Sequence, residues 1–220
     1  VGGGVAVLSV HGRKPARVIV EPVADLALRA GLTPNTVTVV GAVLTTLAAV
    51  VLIPTGHLVA AAVVSGLFSA FDMIDGTMAR RSGGGTRFGS TLDASCDRIT
   101  DGALFSAIIW WEVFVAGTDR ATVAATFVAL IGSQVTSYVK ARGEASGFRM
   151  VGGLIERPER LIIGYLGIAL AGFGVPWGFE VAMWVLAVGS VWTVIQRLIM
   201  ASRDPLAGKM SAPPAGAEDQ

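Results

Sequence analysis

The chain has 220 residues and a formal net charge of +1; 53% of it is hydrophobic and only 15% is charged, for a mean hydropathy of +0.66. Soluble domains carry about 25% charged residues, so this balance excludes an ordinary soluble domain and a nucleic-acid partner, and predicts one polytopic membrane domain. A single cysteine and two scattered histidines exclude an internal disulfide framework and a zinc pattern.

The opening VGGGVAVLSV is apolar, but no basic region precedes it and it is too short to span a bilayer. Residues 1–14 are therefore read as an N-terminal extension and not as a signal peptide. From Pro15 to Ala30, Ile19, Pro22, Val23, Leu26 and Ala30 fall on one helical face, with Arg17, Glu21, Asp25 and Arg29 on the other. This predicts an amphipathic helix at the membrane surface, bent at Pro22. Thr33-Pro34 is a helix start, with Thr as N-cap and Pro in the first turn.

Six spans follow: to about Ile53, from Leu58 past Arg80, from Phe88 to about Ala116, from the Gly117–Arg120 loop to near Lys140, from about Arg160 to Phe173, and from Phe179 to Met200. The expected fold is all-α integral membrane, six transmembrane helices preceded by the amphipathic helix, with residues 15–204 as one domain. Residues 205–220, rich in Ala, Pro and Gly, read as a disordered tail. With six spans, every Lys and Arg except Arg120 collects on the side of the two termini. The positive-inside rule makes that side cytoplasmic, in a multi-pass protein of the cell membrane.

Four aspartates stand within or beside these spans. Asp72 and Asp75 are spaced i,i+3, Asp93 and Asp97 i,i+4, so each pair lies on one helical face. Gly83-Gly84-Gly85 between them predicts a tight connection, and an antiparallel helix pair would bring the four carboxylates to matched depths. Such a group repels itself unless cations sit within it, and hard divalent ions take oxygen ligands. A plainer reading pairs the aspartates with Arg80, Arg81, Arg87 and Arg98. A cation pathway is disfavoured because transport sites usually lie at the bilayer midplane, whereas these acids cluster toward one end. Gly76 and Ala79 permit a close ligand, and Arg80 could hold a phosphate. Asp101, one turn beyond Asp97, is read as a hydrogen-bond partner behind the site.

Asp72, Asp75-Gly76, Ala79-Arg80, Gly89, Asp93 and Asp97 reproduce the signature D-x2-D-G-x2-A-R-x8-G-x3-D-x3-D with every spacing intact. In this the chain resembles the CDP-alcohol phosphotransferase family of six-span membrane enzymes, over about Arg17 to Arg203. The resemblance implies a two-metal site of Asp72, Asp75, Asp93 and Asp97, filled by two Mg2+ ions or by Mn2+, with Asp97 as general base. It implies CDP-diacylglycerol contacts at Asn35, Thr36, Val37, Thr38, Gly76, Arg80 and Thr86, an active site on the cytoplasmic side among membrane lipids, and a homodimer.

Arg157 and Arg160 at a predicted helix start, with Lys140, Arg142 and Arg197, suggest an anion pocket. The segments SQVTSYVKARGEASG, IERPERLII and VIQRL resemble actinobacterial members of the family whose acceptor is myo-inositol 3-phosphate. In those members the products are phosphatidylinositol phosphate and CMP, and these five cations match the acceptor-phosphate pocket. The alternative acceptor is glycerol 3-phosphate, as in phosphatidylglycerophosphate synthase.

Overall fold

Thr33 closes the first turn of a long helix by accepting a hydrogen bond from the Thr36 amide at 3.2 Å, and Pro34 supplies a residue that needs no donor there. That helix, α2 (Pro34–Leu52), follows the shorter α1 (Arg13–Arg29) in a computed structural model that describes residues 13–210. The chain continues through α3 (Leu58–Ser69), α4 (Phe71–Arg81), α5 (Arg87–Trp111), α6 (Arg120–Ala145), α7 (Arg157–Gly172) and α8 (Gly178–Ser202). No strand occurs among the described residues. Most of the N-terminal extension, residues 1–12, and the tail from 211 to 220 lie outside them.

Five apolar stretches are long enough to cross a membrane: Pro34–Leu52, Leu58–Arg81, Arg87–Ala116, Arg120–Ala145 and Gly178–Ser202. The remaining expected span is α7, which has 16 residues. At about 1.5 Å per residue it is roughly 24 Å long, short of a hydrocarbon core of about 30 Å. It is nonetheless a full stave of the bundle. Neighbouring helices pack in the cyclic order α2, α3, α7, α8, α6, α5 and back to α2. One core fills this ring, with Ala49, Ala61, Ile168, Met183, Leu186, Ala129, Leu104 and Ile108 drawn from all six helices.

Lipid-spanning helices pack through small residues because lipid offers no hydrophobic drive between them. At Gly132 a methyl group would lie 2.6 Å from the Ser190 side chain, and at Gly167 it would lie 2.8 Å from Ala182. These glycines set how closely α6 and α7 approach α8. On the outer surface Leu47, Leu67 and Val188 are more than half exposed, as lipid-facing residues of a multi-pass membrane protein must be.

Two features were not expected. The second span is interrupted at Ala70, so α4 starts afresh just before Asp72. The third span ends in a π-helical turn, Glu112–Ala116, stopped by Gly117 at φ 63°. There Glu112 is fully buried and accepts a hydrogen bond from the Thr126 hydroxyl at 3.1 Å.

The amphipathic helix α1 lies against α4. Its Ala24 packs with Val37 and Met78, while Glu21 (3.2 Å) and Asp25 both pair with Arg81. Val23 and Leu26 remain exposed, which leaves the apolar edge for lipid. At the other end of the chain, residues 205–208 form a turn. There the Leu206 amide donates to Asp204, whose carboxylate also accepts from the Arg149 amide.

Candidate active site

The restart of the helix at Ala70 puts Asp72 in the first turn of α4 and Arg80 and Arg81 in its last turn, the favourable sense for both charges. Gly83 and Gly84, at φ 94° and 115°, make the connection back into α5, where only glycine turns without strain. Thr86 then caps α5 by accepting a hydrogen bond from the Gly89 amide at 2.9 Å.

This antiparallel pair brings ligand oxygens of Asp72, Asp75 and Asp93 within 4.8 Å of one another. Asp75 is buried and accepts a hydrogen bond from the Thr38 hydroxyl of α2. Neither Asp75 nor Asp93 has a salt bridge among the described residues. Ionised carboxylates only accept hydrogen bonds. Three of them this close, with the Thr38 hydroxyl donating to Asp75 and one arginine reaching Asp72, fit a hard divalent cation held by oxygen.

Asp97 stands beside this trio and outside it. Its Oδ1 is 2.9 Å from Arg157 Nη2, and its Oδ2 is 3.9 Å from Arg98. The same Arg157 guanidinium donates to Asp72 Oδ2 through Nη1. Arg157 thus ties α7 to both acidic helices, a link that residue spacing cannot reveal. The plainer expectation, pairing with Arg80, Arg81, Arg87 and Arg98, holds only for Arg98. Arg80 instead donates to Thr77 at 2.9 Å, and Arg81 reaches α1.

Asp101 is wholly buried. Arg160 meets it at 2.5 Å, Arg98 at 3.3 Å and Arg157 at 3.6 Å. Arg160 is itself only 1% exposed. This knot of one carboxylate and three guanidiniums forms the floor beneath the aspartate trio.

The residues expected to meet CDP divide into smaller groups. Asn35 and Thr86 both crowd Gly89: a methyl group there would lie 2.9 Å from Asn35 Oδ1 and 3.0 Å from Thr86 Oγ1. Gly76 lies under the Arg80 guanidinium, 3.4 Å from where its Cβ would be. Thr38 turns to Asp75, Thr36 shares the cap hydrogen bond with Thr33 at 2.9 Å, and Val37 packs into the small core against α1. The Val37 side chain therefore faces away from the trio, following the helical rotation of α2.

A cleft of about 940 Å³ opens from Asp93 and Asp97 across α5, α6, α7 and α8, and Lys140, Arg157, Arg160 and Arg197 line it. Arg142 does not line it and is exposed. Arg197 is almost fully committed elsewhere: Nη1 donates to the Thr136 carbonyl at 2.7 Å, Nε to Gly152 at 3.3 Å, and Nη2 to Glu156 at 3.0 Å. It fixes the segment that leads into α7. Gln134, unremarked in the sequence, also lines the cleft and donates to the Arg98 carbonyl at 3.2 Å.

A membrane bundle with carboxylates gathered at one end and cations lining the adjoining cleft defines an enzyme of phosphoryl chemistry at the lipid surface. The chain belongs to the CDP-alcohol phosphatidyltransferase family, whose model matches residues 31–195. It is 62% identical over 211 residues to the phosphatidylinositol phosphate synthase of Corynebacterium glutamicum, with 96% of each chain covered. Among solved structures it resembles the phosphatidylinositol phosphate synthase of Mycobacterium tuberculosis with CDP-DAG bound. That match has a TM-score of 0.83 and 49% identity, over 89% of this chain and 99% of the other. The same Mycobacterium tuberculosis protein in complex with manganese and citrate matches with a TM-score of 0.83 and 48% identity, over 91% and 98%.

Proposed function

We propose that the protein transfers the phosphatidyl group of CDP-diacylglycerol to myo-inositol 3-phosphate, giving phosphatidylinositol phosphate and CMP. The observation that carries this reading is the adjacency of two unlike surfaces. The trio of Asp72, Asp75 and Asp93 adjoins the cation-lined cleft of about 940 Å³ through Asp93, which belongs to both. One surface suits a diphosphate held through divalent cations, and the other suits a polar acceptor carrying its own phosphate. The 62% identity to a phosphatidylinositol phosphate synthase favours the inositol acceptor over glycerol 3-phosphate.

In the reaction, the acceptor hydroxyl oxygen forms a bond to the phosphorus that carries diacylglycerol, and the bond from that phosphorus to the CMP phosphate breaks. The hydroxyl proton goes to Asp97, whose position between the trio and the cleft suits a general base. Asp72, Asp75, Asp93 and Asp97 would hold two Mg2+ ions, or Mn2+, which would supply neutralisation of the diphosphate and of the departing phosphate. Arg80 over Gly76, with Asn35 and Thr86 around Gly89, holds the CDP group. Lys140, Arg157 and Arg160 receive the acceptor phosphate, and Arg197 positions the segment that carries the latter two. The basic side of the bundle, with both termini and the site, faces the cytoplasm. Residues 15–204 act as one domain, in a homodimer.

The test is CMP release by purified protein given CDP-diacylglycerol and, separately, inositol 3-phosphate, inositol or glycerol 3-phosphate. Release with inositol 3-phosphate well above the others is expected. Release only with glycerol 3-phosphate would move the protein to the alternative acceptor.

A further inference from the structure

Arg157 faces two places at once. Its guanidinium holds Asp72 Oδ2 and Asp97 Oδ1, and its side chain also lines the cleft beside Lys140 and Arg160. Asp72 belongs to the trio that fits a divalent cation, and Asp97 stands beside it. A guanidinium and a dication compete for these carboxylates, because both draw on their lone pairs and the two cations repel each other. From the geometry we infer that Arg157 is a built-in counter-ion of the acidic cluster. It gives up Asp72 and Asp97 when a divalent cation binds and then turns its guanidinium to the phosphate of the acceptor. Metal loading and acceptor binding are thereby coupled through one side chain. The inference rests on the transfer reading above and concerns the order in which that site is assembled.

The neighbouring arginines show why Arg157 is the one that moves. Arg160 is 1% exposed and held at 2.5 Å by the fully buried Asp101. Arg197 is 3% exposed and spends all three nitrogens on Thr136, Gly152 and Glu156. Arg157 has a side chain 20% exposed, and its remaining partners, the Thr100 hydroxyl at 3.5 Å and Asp101 at 3.6 Å, are both distant. It is also the first residue of α7, following an extended Glu156, so no preceding helical turn confines it. The open direction is the cleft.

Linkage makes the idea measurable, since two ligands that favour the same arrangement raise each other's affinity by one common factor. With full-length protein in nanodiscs, calorimetry gives the affinity for Mn2+ and for two phosphate monoesters, inositol 3-phosphate and glycerol 3-phosphate, each with and without the other ligand class. The native protein is expected to bind the monoester about tenfold more tightly when Mn2+ is saturating, within the usual range of such couplings. Arg157→Ala should bind Mn2+ at least as tightly as native and lose most of that factor. A fall in Mn2+ affinity, or undiminished coupling in the variant, would overturn the inference.

A second measurement uses native protein alone. Phenylglyoxal labelling of Arg157, followed by peptide mass spectrometry with exposed Arg203 as reference, should rise on adding Mn2+. Unchanged or reduced labelling would sink the switch even if the variant fails to fold. Coupling seen with glycerol 3-phosphate and no binding of inositol 3-phosphate would reject the proposed acceptor and leave the switch standing. Absence of Mn2+ binding to native protein would remove both.

Discussion

Asp75 and Asp101 are almost equally buried, at 6% and 0% exposure, yet their surroundings are opposite. Asp101 is ringed by Arg160, Arg98 and Arg157. Asp75 has one hydroxyl from Thr38 and two like charges, Asp72 and Asp93, within reach. A buried carboxylate with its charge matched is part of the scaffold, and one left among its own kind awaits something from outside. The sequence lists both as aspartates on neighbouring helices; only their partners separate the two roles.

The largest effect that would sharpen the contrast comes from Asp75→Ala. CMP release should fall at least about a thousandfold, the several kcal/mol of charge stabilisation that metal-ion catalysis supplies. Mn2+ binding by calorimetry should weaken with it. In chelator the variant should melt no lower than native protein, since a repelling charge has been removed. A lower melting temperature there would show that Asp75 supports the fold, and the contrast would collapse.

Asp97→Asn comes next, with kcat lowered by about 10² to 10⁴. Donor binding, followed with CDP-diacylglycerol in nanodiscs, should be reduced much less. Near-native turnover would remove Asp97 as the base.

Arg160→Ala probes the other side. It leaves Asp101 buried without its shortest partner, and breaking such a pair costs about 3–5 kcal/mol. The melting temperature should fall whether or not Mn2+ is present. Replacing both residues by apolar ones, Asp101→Leu with Arg160→Met, should recover much of the loss. Arg160→Ala with native stability and a raised KM for inositol 3-phosphate alone would show that Arg160 serves only the acceptor and does not hold the fold through Asp101.

The smallest effect lies at the membrane surface. The hydrogen bond from Arg81 holds the Asp25 carboxyl below its ordinary range, with burial opposing this more weakly. A carboxyl whose folded pKa is lowered contributes stability above its unfolded pKa and loses it as pH falls through the folded value. Native protein should therefore melt slightly above Asp25→Asn at neutral pH, and the gap should close below about pH 4. High salt should shrink it at every pH. A gap that widens on acidification would contradict the pairing.

Much of this was legible in the residues. Hydropathy gave the bundle, Thr33-Pro34 gave one helix start, and the aspartate spacing with its glycine turn brought Asp72, Asp75 and Asp93 together. What escaped depended on distant parts of the chain. The break at Ala70 has no proline or glycine to announce it. Arg197 looked like a ligand because its engagement with Thr136, Gly152 and Glu156 needs the path of the segment before α7. The pairing of Asp97 with Arg157, 60 residues away in sequence, could not be read from spacing. Glu112, unremarked in the sequence, is sealed inside the ring with Thr126.

The shortness of α7 has a consequence for the lipid. Its first residue, Arg157, meets Asp97 and Asp101 on α5, and these stand 10 and 14 positions past Arg87. At about 1.5 Å per residue that is roughly 15–21 Å along a span. The wall of the bundle is therefore low on one side, and the cleft is open as far as Asp97. A lipid donor can react with its tails still among its neighbours, while the soluble acceptor descends to meet it. Lifting those tails into water instead would cost about 0.8 kcal/mol for every methylene exposed. A notch in the bundle thus spares the enzyme a lipid-extraction step.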